Sequence, residues 1–172
     1  KILSKNWPPA MMGNSMFARS SRWYCKDVQY PKQDLAKARK LMKEYGKPVK
    51  AVVLTGGLTT FIKYGEMVQH FAAKVGIELE IKNIGRGTAA IVGPINRGEA
   101  KAWIYSYGNV ADPLQVQTQL QSKHAANVWR LRSPKVDAAI DKLKKATGFK
   151  ARYAANCDLQ RVLHAELPFL YG

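Results

Sequence analysis

Between residues 34 and 107, apolar positions alternate between helical and strand spacing. Residues 35–45 place apolar side chains three and four positions apart after Asp34, which predicts a helix that Asp34 caps and Gly46 ends. The same criteria predict the remaining elements of this region, which are helices over 61–75 and, weakened by Pro94, 88–96, and strands over 49–54, 77–84 and 101–107. Helix, glycine and strand follow one another three times, which predicts an α/β domain with at least partly parallel strands.

The two ends of the chain lack this alternation. Residues 1–33 combine prolines, serines and aromatic residues that include Trp7, Phe17, Trp23 and Tyr24, which predicts an irregular but packed segment. After residue 113 the pattern predicts helices over 114–121, 133–146 and 150–166. The last apolar residues, 169–171, resemble the start of an extended segment, and no leader precedes Lys1, so we expect a processed chain or a fragment. We predict a single domain over 1–172, with its alternating part at 34–113 and its C-terminal helices at 114–172.

The charge of the chain is strongly positive. Twenty-eight Lys and Arg residues face 12 acidic residues, for a net charge of +16. Such a charge suggests nucleic acid as a partner, but the basic residues are dispersed, and their short clusters at 37–43 and 142–145 fit the exposed faces of helices. A nucleic-acid-binding α/β domain therefore stays the alternative, and we expect no nucleic acid partner. The charge still favours an anionic ligand or an anionic surface nearby.

Residues with catalytic or metal-binding chemistry are sparse. Cys25 and Cys157 are too few for a disulfide framework; Cys157 fits a small buried side chain of a helix, and a bridge between the two stays open. The three histidines are scattered, and no phosphate-binding glycine motif or paired carboxylate stands out. We therefore expect no enzymatic activity, no catalytic residues, no cofactor and no metal site.

Six phrases of the sequence, in order, resemble the family 5 solute-binding proteins, the peptide, nickel and opine receptors of ABC importers. They are YPKQDLAKARKLMKEYG at 30–46, AAKVGIELEIKNI at 72–84, RGEAKAWIYSY at 97–107, Asp112-Pro113, SPKVDAAID at 133–141 and QRVLHAELPFLY at 160–171. Three positions depart from the family pattern: Ala100-Lys101 replaces an aromatic-Asp pair, Pro94 interrupts a helix, and GFKAR at 148–152 replaces an Asp-Pro-x-x-Arg turn.

The resemblance implies a fold and a function. It implies one lobe of the type 2 periplasmic-binding-protein fold, α/β with a mixed sheet flanked by helices, whose missing first lobe forms the other wall of a ligand cleft. It implies a periplasmic or membrane-anchored extracytoplasmic protein that captures a peptide, opine or related solute for the membrane permease subunits of an ABC importer. A ligand-sensing regulatory domain of the same fold is a further alternative.

Ligands of open α/β sheets bind beyond the carboxyl ends of the strands, where helix N-termini also point. Two loops occupy such positions, 55–60 (TGGLTT) and 105–112 (YSYGNVAD), and both also fit ordinary turns or core positions. Trp103 is expected in the core. The candidate ligand-binding residues are Thr55, Gly56, Gly57, Thr59, Tyr105, Tyr107 and Asn109.

Asn109 is the most informative of these candidates. The resemblance implies that peptide-binding members carry an acidic residue three positions before the Asp-Pro pair, where it binds the ligand's α-ammonium. A neutral amide at this position makes a free peptide amino terminus a less favourable ligand. Asp112 is expected to form a turn and not to replace that carboxylate.

Overall fold

A computed structural model describes residues 17–28, 33–85, 88–104, 111–125, 127 and 129–166. The helices are α1 (Leu35–Tyr45), α2 (Thr59–Ala73), α3 (Thr88–Asn96), α4 (Leu114–Gln117), α5 (Pro134–Lys145) and α6 (Gly148–Glu166), and the strands are β1 (Val49–Thr55), β2 (Ile77–Asn83) and β3 (Ala102–Ile104). The chain divides into two compact units, a sheet unit of residues 32–107 and a helical unit of residues 1–31 with 108–172. Our assignment of 1–172 to a single domain stays a prediction.

The sheet unit contains three parallel strands in the order β2-β1-β3. β1 pairs with β2 along its whole length, from Val49 opposite Ile77 to Thr55 opposite Asn83, and with β3 only over its last three residues. The predicted α/β fold is therefore confirmed, and the expected mixed sheet is parallel throughout the described strands. Because all three strands run the same way, their carboxyl ends lie at one edge of the sheet.

Helices α2 and α3 cover opposite faces of this sheet. Gly65 of α2 lies against Thr55, Ile81 and Ile104, while Leu54 is buried with Ile91 and Ile95 of α3. Successive residues of a strand point to opposite faces, so Thr55 faces α2 and Leu54 faces α3. Trp103, paired with Leu54 on β3, packs beside the α3 cluster, which confirms its expected place in the core.

The core of the helical unit lies mainly between α5 and α6. Ser133 caps α5 by accepting a hydrogen bond from the Val136 N–H, and Pro134 begins the helix, as predicted. The buried aliphatic cluster consists of Leu120, Val136, Ala139, Ile140, Leu143, Ala155, Leu159 and Leu163. Only residues 146–147 separate α5 from α6, and this short connection lets the apolar faces of the two helices meet.

The segment 17–28 is attached to α6 by covalent and polar contacts. Cys25 and Cys157 form a disulfide with a Cα–Cα distance of 5.6 Å, which answers the question that the sequence left open. Asn156 Nδ2 donates to the Trp23 carbonyl at 3.0 Å, and the Tyr153 hydroxyl donates to the Tyr24 carbonyl at 3.0 Å. Cys157 is buried, as expected. Polar side chains of α6 thus satisfy the backbone of a segment that has no regular secondary structure.

Several predicted bounds differ from the observed ones. The strand predicted over 101–107 is β3 at Ala102–Ile104, and the last three predicted residues, 105–107, lie outside the described residues. The helix predicted over 114–121 is the single turn α4 followed by the 3-10 turn Thr118–Leu120. Helix α3 continues through Pro94. Among the described residues, no helix has the length and apolar character needed to cross a membrane.

Candidate functional site

The loop that follows β1 lies at the carboxyl edge of the sheet, where the sequence predicted a ligand site. Thr55, the last residue of β1, is fully buried, and its side-chain methyl faces Gly65 of α2. Its Oγ1 has no hydrogen-bond partner among the described residues. A ligand can reach this hydroxyl only if the loop above it moves, because Thr55 has no exposed surface in this conformation.

The glycines of this loop pack closely against the loop after β2. The Gly57 N–H donates to the Gly85 carbonyl at 2.6 Å, and a side chain at Gly57 would meet Gly85 backbone atoms at 3.1–3.3 Å. Gly85 has a φ of +79°, and its own N–H is bound by Asn83 Oδ1 at 3.0 Å. Gly56 is buried beside the Phe61 ring. The two glycines therefore join neighbouring loops, and the Gly57 donor is already in use.

The start of α2 is the part of this loop that remains open for a ligand. Thr59 begins α2 and is exposed, and the N-cap residue Leu58 provides no side-chain hydrogen bond. The first turn of α2 contains no acidic residue. Backbone N–H groups at the start of a helix have no partner within the helix and favour negative charge. This end of α2 is therefore able to interact with an acceptor group or an anion.

The other predicted ligand residues follow β3. Ile104, the last residue of β3, pairs with Thr55, so the chain leaves β3 at the same edge of the sheet as it leaves β1. Tyr105, Tyr107 and Asn109 lie outside the described residues.

Asp112 forms a turn, as expected, and has a second role that the sequence did not indicate. Its Oδ1 accepts a hydrogen bond from the Leu114 N–H at 2.8 Å, the pattern of an Asx turn. The same carboxylate binds Arg152, whose Nη2 lies 2.7 Å from both oxygens. Pro113, the residue between Asp112 and Leu114, is fully buried. The Asp-Pro pair is thereby fixed to α6, and Arg152 is the partner that holds it.

No protein-family model and no curated protein sequence matches this chain. Solved structures do match it, and they define the fold as that of one part of the periplasmic binding proteins for peptides and nickel complexes. The resemblance indicated by the sequence motifs is thus confirmed at the level of the fold.

Three structures illustrate the match. The chain is similar to the periplasmic murein tripeptide-binding protein MppA in its unliganded open form, with 20% identity, a TM-score of 0.77 and coverage of 98% of this chain and 34% of MppA. Staphylococcus aureus NikA, in complex with Ni(L-His)2, has 23% identity, a TM-score of 0.76 and coverage of 91% and 34%. Helicobacter pylori DppA, in complex with the peptide STSA, has 23% identity, a TM-score of 0.74 and coverage of 94% and 33%. The chain spans about a third of the length of these proteins.

Sequence reasoning missed a group of aromatic and arginine residues in the helical unit. Arg22 lies over the Phe149 ring, and Arg152 lies beside Trp23. The departure from the family pattern at 148–152 was visible in the sequence. Its contact with residues 22–23, more than 120 positions away, had no local signal, because periodicity describes only neighbouring positions.

Proposed function

We propose that this chain is one lobe of a two-lobed, extracytoplasmic solute-binding protein that delivers a small ligand to the permease subunits of an ABC importer. The observation that carries the proposal is the fold, which matches one third of MppA over 98% of this chain. The missing first lobe of the same protein would form the opposite wall of the cleft. The ordered sequence motifs support the same assignment independently of the fold.

In this proposal the ligand binds at the carboxyl edge of the sheet. Support comes from the parallel strands, which bring the carboxyl ends of β1 and β3 to one edge, and from the start of α2, whose N-cap residue Leu58 provides no side-chain hydrogen bond. Thr59 and the α2 N-terminus would contact the ligand directly. Thr55, Gly56 and Gly57 would shape the loop, and Tyr105, Tyr107 and Asn109 remain proposed contacts.

We further propose that the protein binds its ligand without chemical turnover. The shifted carboxyl pKa values of the described residues belong to ion pairs on the surface. A hydrogen bond from Arg161 lowers the pKa of Asp27, and one from Arg97 lowers that of Glu99. Both shifts stabilise the ionised carboxylate, whereas a general acid needs a pKa raised toward neutrality.

The solved structures similar to this chain suggest the class of its ligand. Those named above are an unliganded murein tripeptide-binding protein, a complex with Ni(L-His)2 and a complex with the peptide STSA. We propose a small peptide, an opine or a related solute. A ligand lacking a free α-ammonium group is favoured, because Asn109 occupies the position where the family resemblance implies an acidic residue.

A comparison of the isolated chain with the two-lobed protein tests the assignment. Calorimetry with di- and tripeptides and with nickel–histidine should give a dissociation constant near or below about 1 μM for one ligand of the two-lobed protein. The isolated 172 residues should bind the same ligand at least about a hundredfold more weakly, because one wall covers too little of its surface. Tight binding by the isolated chain would refute the one-lobe assignment, and conversion of the ligand to product would refute the binding role.

The substitution Asn109→Asp in the two-lobed protein tests the site. The new carboxylate should favour cationic or amino-terminal ligands over anionic ones by roughly ten- to a hundredfold, the value of one charge-assisted contact. Asn96→Asp is the matched control, because it makes the same charge change at an exposed helix end. An unchanged ligand preference in Asn109→Asp would remove Asn109 from the site.

A further inference from the structure

The helical unit contains a pocket of about 340 Å³ at the start of α6. Residues 22–23, 111–112 and the first turn of α6 line it. This volume is at the lower end of the range for small-molecule sites. None of its lining residues is among the proposed ligand-binding residues of the cleft, of which Asn109 is nearest in the sequence, two positions before Ala111.

The floor of the pocket is aromatic and fixed in place. Trp23 is buried, and its indole N–H donates to the Ala111 carbonyl at 3.0 Å. The Phe149 ring lies 5.2 Å from Trp23 and 5.9 Å from Tyr153, between ring centroids. Phe149 nevertheless keeps 46% of its surface exposed. An apolar group entering the pocket would therefore meet a ring that is already held by its neighbours.

The two arginines of the pocket differ in their charge balance. Arg152 is neutralised by Asp112, as described above. Arg22 lies with its guanidinium carbon 4.2 Å from the Phe149 ring centroid and 5.4 Å from that of Trp23. Within the described parts of the chain, no carboxylate forms an ion pair with Arg22. Stacking on a ring uses the face of a guanidinium and leaves its edge N–H groups free to donate.

The backbone adds to the positive charge of this pocket. Helix α6 begins at Gly148, and its first turn contains no acidic residue. The unpaired N–H groups of a helix start carry a partial positive charge that favours an anion. With Arg22 unpaired and Arg152 balanced by Asp112, the side chains of the pocket carry a net charge of about +1.

We propose that this pocket binds the carboxylate of a small apolar monocarboxylic acid. The Arg22 guanidinium donates to both carboxylate oxygens, and the apolar part of the acid packs on the exposed surface of Phe149. The planar fork of a stacked arginine matches a carboxylate in geometry, and the aromatic floor excludes water from one side of the ion pair. This proposal does not rest on the proposed transport function, and the site uses only residues of this chain.

Benzoate titrated into the 172-residue protein tests the proposal. The ¹H–¹⁵N spectrum, recorded at constant ionic strength, should show saturable shifts of the Trp23 indole N–H and of the Phe149 and Lys150 amides, with a dissociation constant on the order of 1 mM. Benzamide has the same shape without the charge and should bind about tenfold more weakly or worse. Equal shifts with benzamide, or the same shifts with chloride or phosphate, would overturn the proposal.

Matched variants identify the contribution of Arg22. Arg22→Gln should weaken benzoate binding by about tenfold or more, and Arg22→Lys should give an intermediate loss because the charge remains but the fork is gone. Arg19→Gln removes the same charge from an exposed arginine of the same segment and should change the affinity less than about twofold, because Arg19 does not line the pocket and surface charges at a distance are screened. Arg22 is itself exposed, so the spectra of these variants should otherwise match the wild type. Unchanged benzoate binding by Arg22→Gln would refute the assignment.

Discussion

Helices α1 and α5 have similar apolar spacing but are buried to very different extents. Both carry apolar residues three and four positions apart, both begin at a side-chain cap, and they contain 11 and 12 residues. Helix α5 buries Val136, Ala139, Ile140 and Leu143, whereas no residue of α1 is buried. In α1, Leu41 is 54% exposed and Tyr45 is 60% exposed.

The difference shows what amphipathic spacing decides and what it leaves open. Spacing determines which side chains of a helix share a face, and a cap determines where the helix begins. Burial also needs a second apolar surface at the right place. Helix α5 has one in α6, which follows after two residues, together with Leu120. Most helical stability in proteins comes from such packing.

The largest effect is expected from the disulfide that ties residues 17–28 to α6. The double variant Cys25→Ala/Cys157→Ala should lower the free energy of unfolding of the helical unit by about 2–5 kcal/mol. Urea unfolding, followed through hydrogen exchange of α6 peptides, measures this loss. Reduction of the wild type should lower stability to a similar extent and should leave the double variant unchanged. A wild type whose stability does not respond to reductant would contradict the prediction.

Replacing one leucine of each helix by alanine tests the comparison of α1 with α5 directly. Leu143→Ala should cost about 2–5 kcal/mol because it leaves a cavity in the core between α5 and α6. Leu41→Ala should change the free energy of unfolding by less than about 0.5 kcal/mol, because its side chain is largely exposed and alanine favours a helix. Urea unfolding followed by circular dichroism measures both. Equal losses would mean that the α1 face is covered in solution.

Loss of the N-cap side chain should destabilise the two helices to more similar extents than loss of a leucine does. Ser133 Oγ accepts from the Val136 N–H at 3.3 Å, and Asp34 Oδ1 accepts from the Lys37 N–H at 2.8 Å. Alanine at either position should cost about 0.5–2 kcal/mol, with the larger value for the buried Ser133 site, where water cannot replace the acceptor. Ser133→Thr and Asp34→Asn keep an acceptor and serve as controls in the same unfolding experiment. A loss confined to one helix would contradict the prediction.

The smallest effect concerns the ion pair that links residue 27 to α6. Because a hydrogen bond from Arg161 lowers the folded-state pKa of Asp27, its contribution is present above the ordinary carboxyl pKa and is lost as the pH falls through the lowered value. Both side chains are well exposed, so the contribution should stay below about 1 kcal/mol. As the pH is lowered from about 6 to about 3, the melting temperature of the wild type should fall slightly more steeply than that of Asp27→Asn. Identical slopes would exclude a contribution from this pair.

The sequence predicted the order of elements well, while the candidate ligand-binding residues stay a prediction. Helices α1 and α5 and the first two strands lie close to their predicted bounds, because each has a clear period and a glycine, serine or proline beside one end. Helix α3 also has its predicted bounds, although Pro94 lies inside it. The loop after β1 lies at the predicted edge of the sheet. The hydrogen bond from the Gly57 N–H to the Gly85 carbonyl could not be predicted, because the two residues belong to different loops.

The sequence by itself determined the local features of this protein: helix faces, caps, strand alternation and the motifs that resemble those of solute-binding proteins. These depend on residues a few positions apart, so they can be recognised before any fold is known. Only the tertiary structure decided that Cys25 bonds Cys157, that Arg152 holds Asp112 and that Arg22 lies on Phe149. The partners in these contacts are 132, 40 and more than 120 positions apart. Contacts over such separations depend on how whole elements pack together, and no local pattern encodes that arrangement.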